Sequence, residues 1–248
     1  MPLGPDTYVA TVTDSQTFVL IPGAWMGAWS WHPVARHLYE QGHRVIALTL
    51  PGLSYGDDPT GLRLADAVDF VAAELDRRDL TDAVLVSHSW GGYPATAAAH
   101  LRPERIGKVV YYSSVVPARG VSMADENPVY GDIVRGAIDA APDGAVPLTL
   151  PVIRGGLMPG ESAELQELVA GLVRPQPGGY MVDALDVPPV TEIGLSAAYL
   201  LGADDNSLAR PGDEFADRVG LKAVSVPGGH MALLSRPAEI AEALVAAA

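Results

Sequence analysis

Residues 83–93 of the chain read AVLVSHSWGGY, and this stretch decides the fold. Apolar residues that favour a strand lead into a turn with Ser89 at its apex, and a helix-like run follows from Tyr93. The small residues Ser87 and Gly91 stand on either side of the serine, because a turn this tight leaves no room for larger side chains. The turn exposes the serine hydroxyl at a sheet edge, beside N–H groups at a helix start. The pattern predicts a nucleophilic serine; the alternative is a glycine-rich turn that opens an ordinary helix.

The composition limits the class of protein. The chain has 248 residues, 48% of them hydrophobic, which is enough for one sizeable core. It has no cysteine, which excludes disulfides, thiolate catalysis and cysteine-ligated metals. A formal net charge of −14 disfavours nucleic acid and anionic membranes as partners. No secretory signal is visible and the apolar runs are too short to cross a bilayer, so we expect a cytoplasmic protein.

Strand-like and helix-like segments alternate along most of the chain. This rhythm predicts an α/β fold with a mostly parallel, doubly wound sheet. The strand-like segments are 17–21, 45–48, 84–87, 109–112, 197–201 and 223–226. The helix-like segments are 29–41, 64–80, 93–101, 213–219 and 237–247.

The rhythm breaks between residues 117 and 189. This stretch is rich in proline and glycine, lacks a clear buried strand and contains two helix-like pieces, 131–141 and 162–172. We interpret it as a helical cap over the carboxyl edge of the sheet, inserted after the sixth core strand. Residues 1–116 and 190–248 then form the core.

A serine hydroxyl becomes a good nucleophile when a base takes its proton, and a carboxylate commonly orients that base. The chain order expected for such a turn is serine, acid, histidine. His230 follows the last strand and is the candidate base, although it could be an ordinary loop histidine in a glycine-rich turn. His100 lies in the helix after the turn and cannot reach back to the serine. Asp204 and Asp205 both follow the strand at 197–201, and either could orient the histidine.

The tetrahedral intermediate of acyl transfer needs hydrogen-bond donors for its oxyanion. The N–H of Trp90, directly after the serine, is one candidate donor. The N–H of Ala24, in the loop after the first strand, is the other, and Gly23 lets that backbone approach a substrate closely. Trp25 is a candidate pocket residue, with a core position as the alternative. The remaining histidines form no metal set, and we expect neither a metal nor a cofactor.

With these residues in place, the chain resembles the plant methylesterase and hydroxynitrile lyase branch of the α/β-hydrolase superfamily. The resemblance covers most of the chain outside the cap, and its clearest segments are 18–29, 42–48, 172–175 and 229–237. It implies an α/β-hydrolase fold and the cleavage of small carboxylic esters or, in one arm, of cyanohydrins. The family pattern selects Asp205 as the acid. The chain departs from the pattern at Ser87, where glycine is usual, and at Pro22, where histidine is usual.

Three positions separate the two arms of that branch. The lyases carry threonine at the position of Gly23, glutamate at His88 and lysine at Met231, and the lysine stabilises the leaving cyanide. All three residues here favour the esterase arm, and Met231 is a candidate substrate contact. We therefore expect a serine hydrolase acting on a small ester or related carbonyl compound. The alternatives are a lyase, a carbon–carbon hydrolase or a tailoring cyclase on a polyketide-like substrate, and a non-catalytic binding protein. The oligomeric state stays open, with a homodimer as one option.

Overall fold

A parallel sheet of six strands organises the computed structural model, which describes residues 15–248. The strand order is β2-β1-β3-β4-β7-β8. The strands are β1 (Thr17–Ile21), β2 (Arg44–Ala47), β3 (Ala83–Ser89), β4 (Ile106–Ser114), β7 (Ser196–Gly202) and β8 (Val224–Val226), and a separate antiparallel ribbon consists of β5 (Ala145–Val146) and β6 (Gln176–Pro177). The chain reverses its winding direction between β1 and β3, and ligands of such sheets bind at the carboxyl ends of the strands near this point.

Helices cover both faces of the sheet. They are α1 (His32–Glu40), α2 (Leu64–Arg77), α3 (Gly92–Leu101), α4 (Pro128–Ala140), α5 (Leu150–Val152), α6 (Ala163–Leu172), α7 (Gly178–Val182), α8 (Gly212–Asp217), α9 (Ala232–Ser235) and α10 (Pro237–Ala247). Along β1, Val19 and Ile21 pack on the face of α2, α3 and α8, while Phe18 and Leu20 pack on the face of α1, α9 and α10. Both faces of the strand are therefore buried, which explains its uninterrupted apolar sequence. Within the described residues, no helix combines the length and apolarity that a bilayer crossing needs.

The predicted elements agree with the structure in kind and differ at their ends. The segment predicted as one helix from residue 29 begins as a 3₁₀ turn, Ala28–Trp31, and becomes α-helical at His32, with Pro33 in the first turn. The helix predicted to reach residue 80 ends at Arg77. The short helix α9 was not predicted, because a single turn carries no periodic signal.

The segment between β4 and β7 contains α4 to α7 and the β5–β6 ribbon. It leaves the sheet after the fourth strand of the described chain, so the expected position after the sixth strand is wrong; the sequence itself has four strand-like runs before residue 117. The two-residue strands of the ribbon also escaped prediction, because one of them contains Pro177, which cannot donate to a ladder. Residues 1–14 of the expected core lie outside the described residues.

A buried ion pair joins this segment to the core. Glu126, just before α4, is fully buried, and both of its carboxylate oxygens accept hydrogen bonds from Arg218, at 2.7 and 2.8 Å. The Nε atom of Arg210 donates to the same carboxylate at 3.1 Å. The side chains of the core thereby hold the beginning of α4 in place.

Candidate active site

Ser89 ends β3 in a strained backbone conformation. Its φ is 53°, which is uncommon for a residue other than glycine, and such outliers cluster at functional sites. The following glycines allow the turn: a Cβ on Gly91 would lie 2.5 Å from the carbonyl oxygen of Pro22, and a Cβ on Gly92 would overlap the carbonyl oxygen of Val115. The strand, turn and helix predicted around Ser89 are thus all present.

Ser87 replaces the usual glycine without strain. It has no positive φ, so its position does not require glycine. Its buried hydroxyl lies 3.0 Å from the hydroxyl of Ser114, which in turn donates to the carbonyl oxygen of Ser89 at 2.9 Å. The extra side chain is therefore part of a hydrogen-bonded network that supports the turn.

His230 and Asp205 form a buried hydrogen-bonded pair. The Nδ1 atom of His230 lies 2.8 Å from Oδ2 of Asp205, and the two side chains are 2% and 0% exposed. They meet because β7 and β8 are neighbouring parallel strands, whose carboxyl ends carry the two loops. Burial by itself would raise the pKa of Asp205, but the facing His230 and the hydrogen bonds to the carboxylate lower it to about 2. The carboxylate is therefore charged at neutral pH and can orient the imidazole and stabilise its cationic form.

Asp204, the second acid after the same strand, is not part of this buried pair. It is exposed, and its backbone N–H donates to the carbonyl oxygen of Gly228 at 3.0 Å. No hydrogen bond between Asp204 and His230 occurs in the described part of the chain. The geometry therefore pairs Asp205 with the histidine.

Ser89 and His230 line one cavity of about 320 Å³. No hydrogen bond joins the two side chains within residues 15–248, a separation common in enzymes without bound substrate. The other lining residues are mainly apolar: Ala24, Trp25, Trp90, Met123, Asn127, Tyr130, Leu148, Val152, Gly156, Leu157, Ser207, Leu208 and Ala209. None of the described residues that line it is Lys, Arg, Asp or Glu, so the cavity suits an uncharged organic group.

The two predicted oxyanion donors lie at this cavity. Ala24 and Trp90 both line it, and neither amide N–H donates to an acceptor among residues 15–248. Gly23 packs directly against the turn, since a Cβ there would lie 3.0 Å from Cβ of Ser89. A cavity with two free N–H groups beside a serine can bind the oxyanion of a tetrahedral intermediate.

The predicted substrate contacts divide into two groups. Trp25 lines the cavity. Gly23 supports the turn and is not among the lining residues. Met231 is 1% exposed and packs in the core with α9 and α10, so the structure does not place it at this cavity.

Most of the cavity wall could not be predicted from the sequence. Tyr130, Leu148 and Leu157 lie in residues 117–189, the segment inserted between β4 and β7. No sequence motif in this inserted segment marks a pocket residue. One signal was present: the segment 172–175, similar to the plant enzymes, directly precedes Gln176, which binds the backbone of Trp25.

Comparison with known proteins gives consistent matches. A model described as the alpha/beta hydrolase family matches residues 18–243. The carbendazim hydrolyzing esterase of Nocardioides sp. (strain SG-4G) is 28% identical over 246 residues, which cover 92% of this chain and 98% of that protein. Methylesterase 18 of Arabidopsis thaliana is 26% identical over 195 residues, covering 71% and 73%. The solved structure of an extracellular alpha/beta-hydrolase from a Paenibacillus species superposes with a TM-score of 0.88 at 24% identity, covering 94% and 98%, so the two share a fold.

Proposed function

Because the chain belongs to the alpha/beta hydrolase family, we propose that it is a serine esterase that cleaves small, uncharged carboxylic esters. The family match and the likeness to a methylesterase confirm the resemblance and the fold expected from the sequence. One observation carries the proposal: Ser89, in its strained turn, opens into the same cavity as a histidine whose other ring nitrogen is bound to a buried carboxylate.

In the proposed mechanism, Oγ of Ser89 attacks the ester carbonyl carbon and transfers its proton to Nε2 of His230. Asp205 accepts the Nδ1–H bond and stabilises the imidazolium that forms. The N–H groups of Ala24 and Trp90 bind the oxyanion. The imidazolium then protonates the leaving alcohol as the carbon–oxygen bond breaks, which leaves an acyl group on the serine. A water molecule, deprotonated by the same histidine, hydrolyses this acyl-enzyme and restores the serine.

We also propose that the inserted segment 117–189 is a cap over this site. It supplies much of the cavity wall, including Tyr130, Leu148 and Leu157. Since the described lining residues include no Lys, Arg, Asp or Glu, a substrate with a charge on its acyl group would lose its hydration without a partner. We therefore propose that neutral esters are preferred over carboxylate-bearing ones.

A lyase reaction finds less support in this site. A lyase needs a group that stabilises a departing anion such as cyanide. The cavity has no Lys or Arg among its described lining residues, and the position after the histidine is the buried Met231. A carbon–carbon hydrolase or a tailoring cyclase would use the same three catalytic residues on a different substrate, and a substrate panel separates those reactions from ester hydrolysis.

The test is turnover and active-site labelling of the Ser89→Ala variant. We expect hydrolysis of p-nitrophenyl acetate to fall by about 10³-fold or more, and labelling by a fluorophosphonate probe to disappear. Ser54→Ala, a change at an exposed serine, is the matched control and should leave both unchanged. Unaltered turnover in the Ser89 variant contradicts the proposal. Labelling of the parent protein without turnover of any neutral ester would favour a lyase, a carbon–carbon hydrolase or a cyclase.

Two further expectations stay predictions. The cytoplasmic location expected from the sequence is tested by fractionation of the source cells. The option of a homodimer is tested by light scattering of the purified protein.

A further inference from the structure

Trp25 is held by the inserted segment at all three of its polar groups. Its backbone N–H donates to Oε1 of Gln176 at 2.7 Å, its carbonyl oxygen accepts from the N–H of Arg174 at 2.9 Å, and its indole Nε1 donates to the carbonyl oxygen of Val146 at 2.9 Å. These partners are at least 121 positions away along the chain. The loop that carries the proposed donor Ala24 is therefore fixed from outside the core.

Two unfavourable features coincide at this contact. Trp25 has a φ of 65°, a left-handed conformation that is strained for a bulky residue. Gln176 is fully buried, and its Nε2 has no hydrogen-bond partner in the described structure. Its amide cannot be rotated to relieve this, because only the oxygen can accept from the N–H of Trp25. A buried donor without an acceptor destabilises a fold, and strain of this kind persists where the surroundings impose it for function.

The second proposed donor is tied to the same part of the segment. The indole Nε1 of Trp90 donates to the carbonyl oxygen of Tyr180 at 2.8 Å. The rings of the two residues are stacked, with centroids 5.1 Å apart and an interplanar angle of 9°. Residues 176–180 thus contact both loops that carry the oxyanion donors.

We infer that Gln176 is a positioning residue, which holds the N–H of Ala24 in place for the oxyanion by binding the next amide along the chain. The inference rests on the proposed esterase function. The side chain touches no reacting atom; it acts by fixing the peptide on the C-terminal side of Ala24. Oxyanion donors act only when they are already oriented before the charge develops, so loss of this contact should weaken binding of the transition state and leave substrate binding nearly unaltered.

The test variant is Gln176→Met, which keeps the length and approximate volume of the side chain and removes the acceptor. We expect kcat for a neutral ester to fall by about 10- to 100-fold, with KM changed less than about threefold. Affinity for a trifluoromethyl ketone inhibitor, which forms an oxyanion on Ser89, should fall by a similar factor. Gln176→Glu retains an acceptor oxygen and should restore most of kcat.

Gln166→Met is the matched control. Gln166 is also a buried glutamine of the inserted segment, but its Nε2 donates to the carbonyl oxygens of Met158 and Glu161, and no hydrogen bond joins it to Trp25 within residues 15–248. This variant should lose stability and keep kcat and inhibitor affinity. If Gln176→Met does not fold, Gln176→Leu provides the same comparison.

The outcomes separate the inference from the proposed function. If Ser89→Ala abolishes turnover while Gln176→Met keeps kcat and inhibitor affinity within twofold, the positioning role is wrong and the esterase proposal stands. A fall of kcat and inhibitor affinity that Gln166→Met reproduces also overturns the positioning role. If Ser89→Ala keeps turnover, the esterase proposal itself fails.

Discussion

The buried imidazole of His88 binds the backbone of His230, with its Nε2 2.9 Å from the carbonyl oxygen. The centroids of the two rings are 4.6 Å apart. A carbonyl can only accept, so Nε2 of His88 carries the proton, and the buried Nδ1 has no partner in the described structure. Burial, reinforced by the nearby His230, lowers the pKa of His88 to about 3. The ring is therefore neutral at physiological pH and supports the histidine without adding a second positive charge.

This shift predicts that His88 contributes to the acid sensitivity of the fold. In the unfolded chain the imidazole takes up a proton below its ordinary pKa of 6.5, whereas in the native state it does so only near pH 3. The unfolded state thus binds more protons between these values, and stability falls as the pH falls, by up to about 1.4 kcal/mol per pH unit. His88→Gln keeps an N–H donor and cannot titrate. Its free energy of unfolding should decline less steeply from pH 6 to pH 4, as measured by urea unfolding at each pH.

His32→Gln is the control for this experiment. His32 is exposed, and its replacement by glutamine shows how far the loss of one histidine by itself alters the slope of stability against pH. Burial also lowers the pKa of His43. Because His43 is present in all of these proteins, its contribution to the slope cancels in the comparison. Equal slopes for His88→Gln and the parent would contradict a buried, neutral His88.

Two neighbouring acids allow a matched test of the proposed orienting carboxylate. Asp205→Asn should lower kcat by about 10³- to 10⁴-fold, because an amide no longer stabilises the imidazolium and can favour the wrong tautomer of His230. Asp204→Asn changes an exposed side chain one position away and should leave kcat within about twofold. The measurement is kcat for a neutral ester, taken from initial rates of variants whose circular dichroism spectrum matches that of the parent protein. Similar losses in both variants would remove Asp205 from the mechanism.

Replacing Gly92 or Gly136 by alanine should change the stability of the protein in opposite directions. A Cβ at Gly92 would overlap the carbonyl oxygen of Val115, so Gly92→Ala should destabilise the protein by about 1–3 kcal/mol or more and slow fluorophosphonate labelling. Gly136 is exposed in α4 with open space around it, so Gly136→Ala should stabilise by about 0.5–1 kcal/mol. Thermal unfolding should show shifts of about 2–4 °C per kcal/mol in opposite directions. A stabilised Gly92 variant would show that the turn is less crowded than described.

The ion pair of Glu126 predicts a large stability loss on truncation. Glu126→Ala leaves Arg218, whose side chain is only 21% exposed, without its carboxylate partner. Loss of one member of such a pair costs about 3–5 kcal/mol. Glu214→Gln removes an exposed partner of Arg210, at 3.4 Å, and should cost at most about 1 kcal/mol. Chemical denaturation measures both, and equal losses would mean that burial of Glu126 does not matter.

The parts of the site that depend on local chain geometry could be predicted from the sequence. The turn at Ser89 follows from glycines that alone can fit beside neighbouring carbonyl groups, and this requirement is visible in the residue types. Position after a strand was enough to nominate His230, Ala24 and Trp90. It was not enough to separate Asp204 from Asp205 by residue type, since both follow the same strand and differ only in burial and in the hydrogen bond to His230.

The remaining features needed the tertiary structure. Met231 and His230 are adjacent in sequence, yet Met231 packs in the core with α9 and α10 while His230 lines the cavity. The contact between Trp25 and Gln176 joins residues 151 positions apart and leaves no periodic or compositional trace.

By itself, the sequence determined the alternation of strands and helices, the strained serine turn and the order of the three proposed catalytic residues. These depend on interactions between residues close together in the chain, where steric fit and hydrophobic periodicity act. Only the tertiary structure decided which acid faces His230, which side chains form the cavity and what holds the loop of Ala24. Those relations arise from contacts across the sheet edge and the inserted segment, where packing rather than local propensity selects the neighbours.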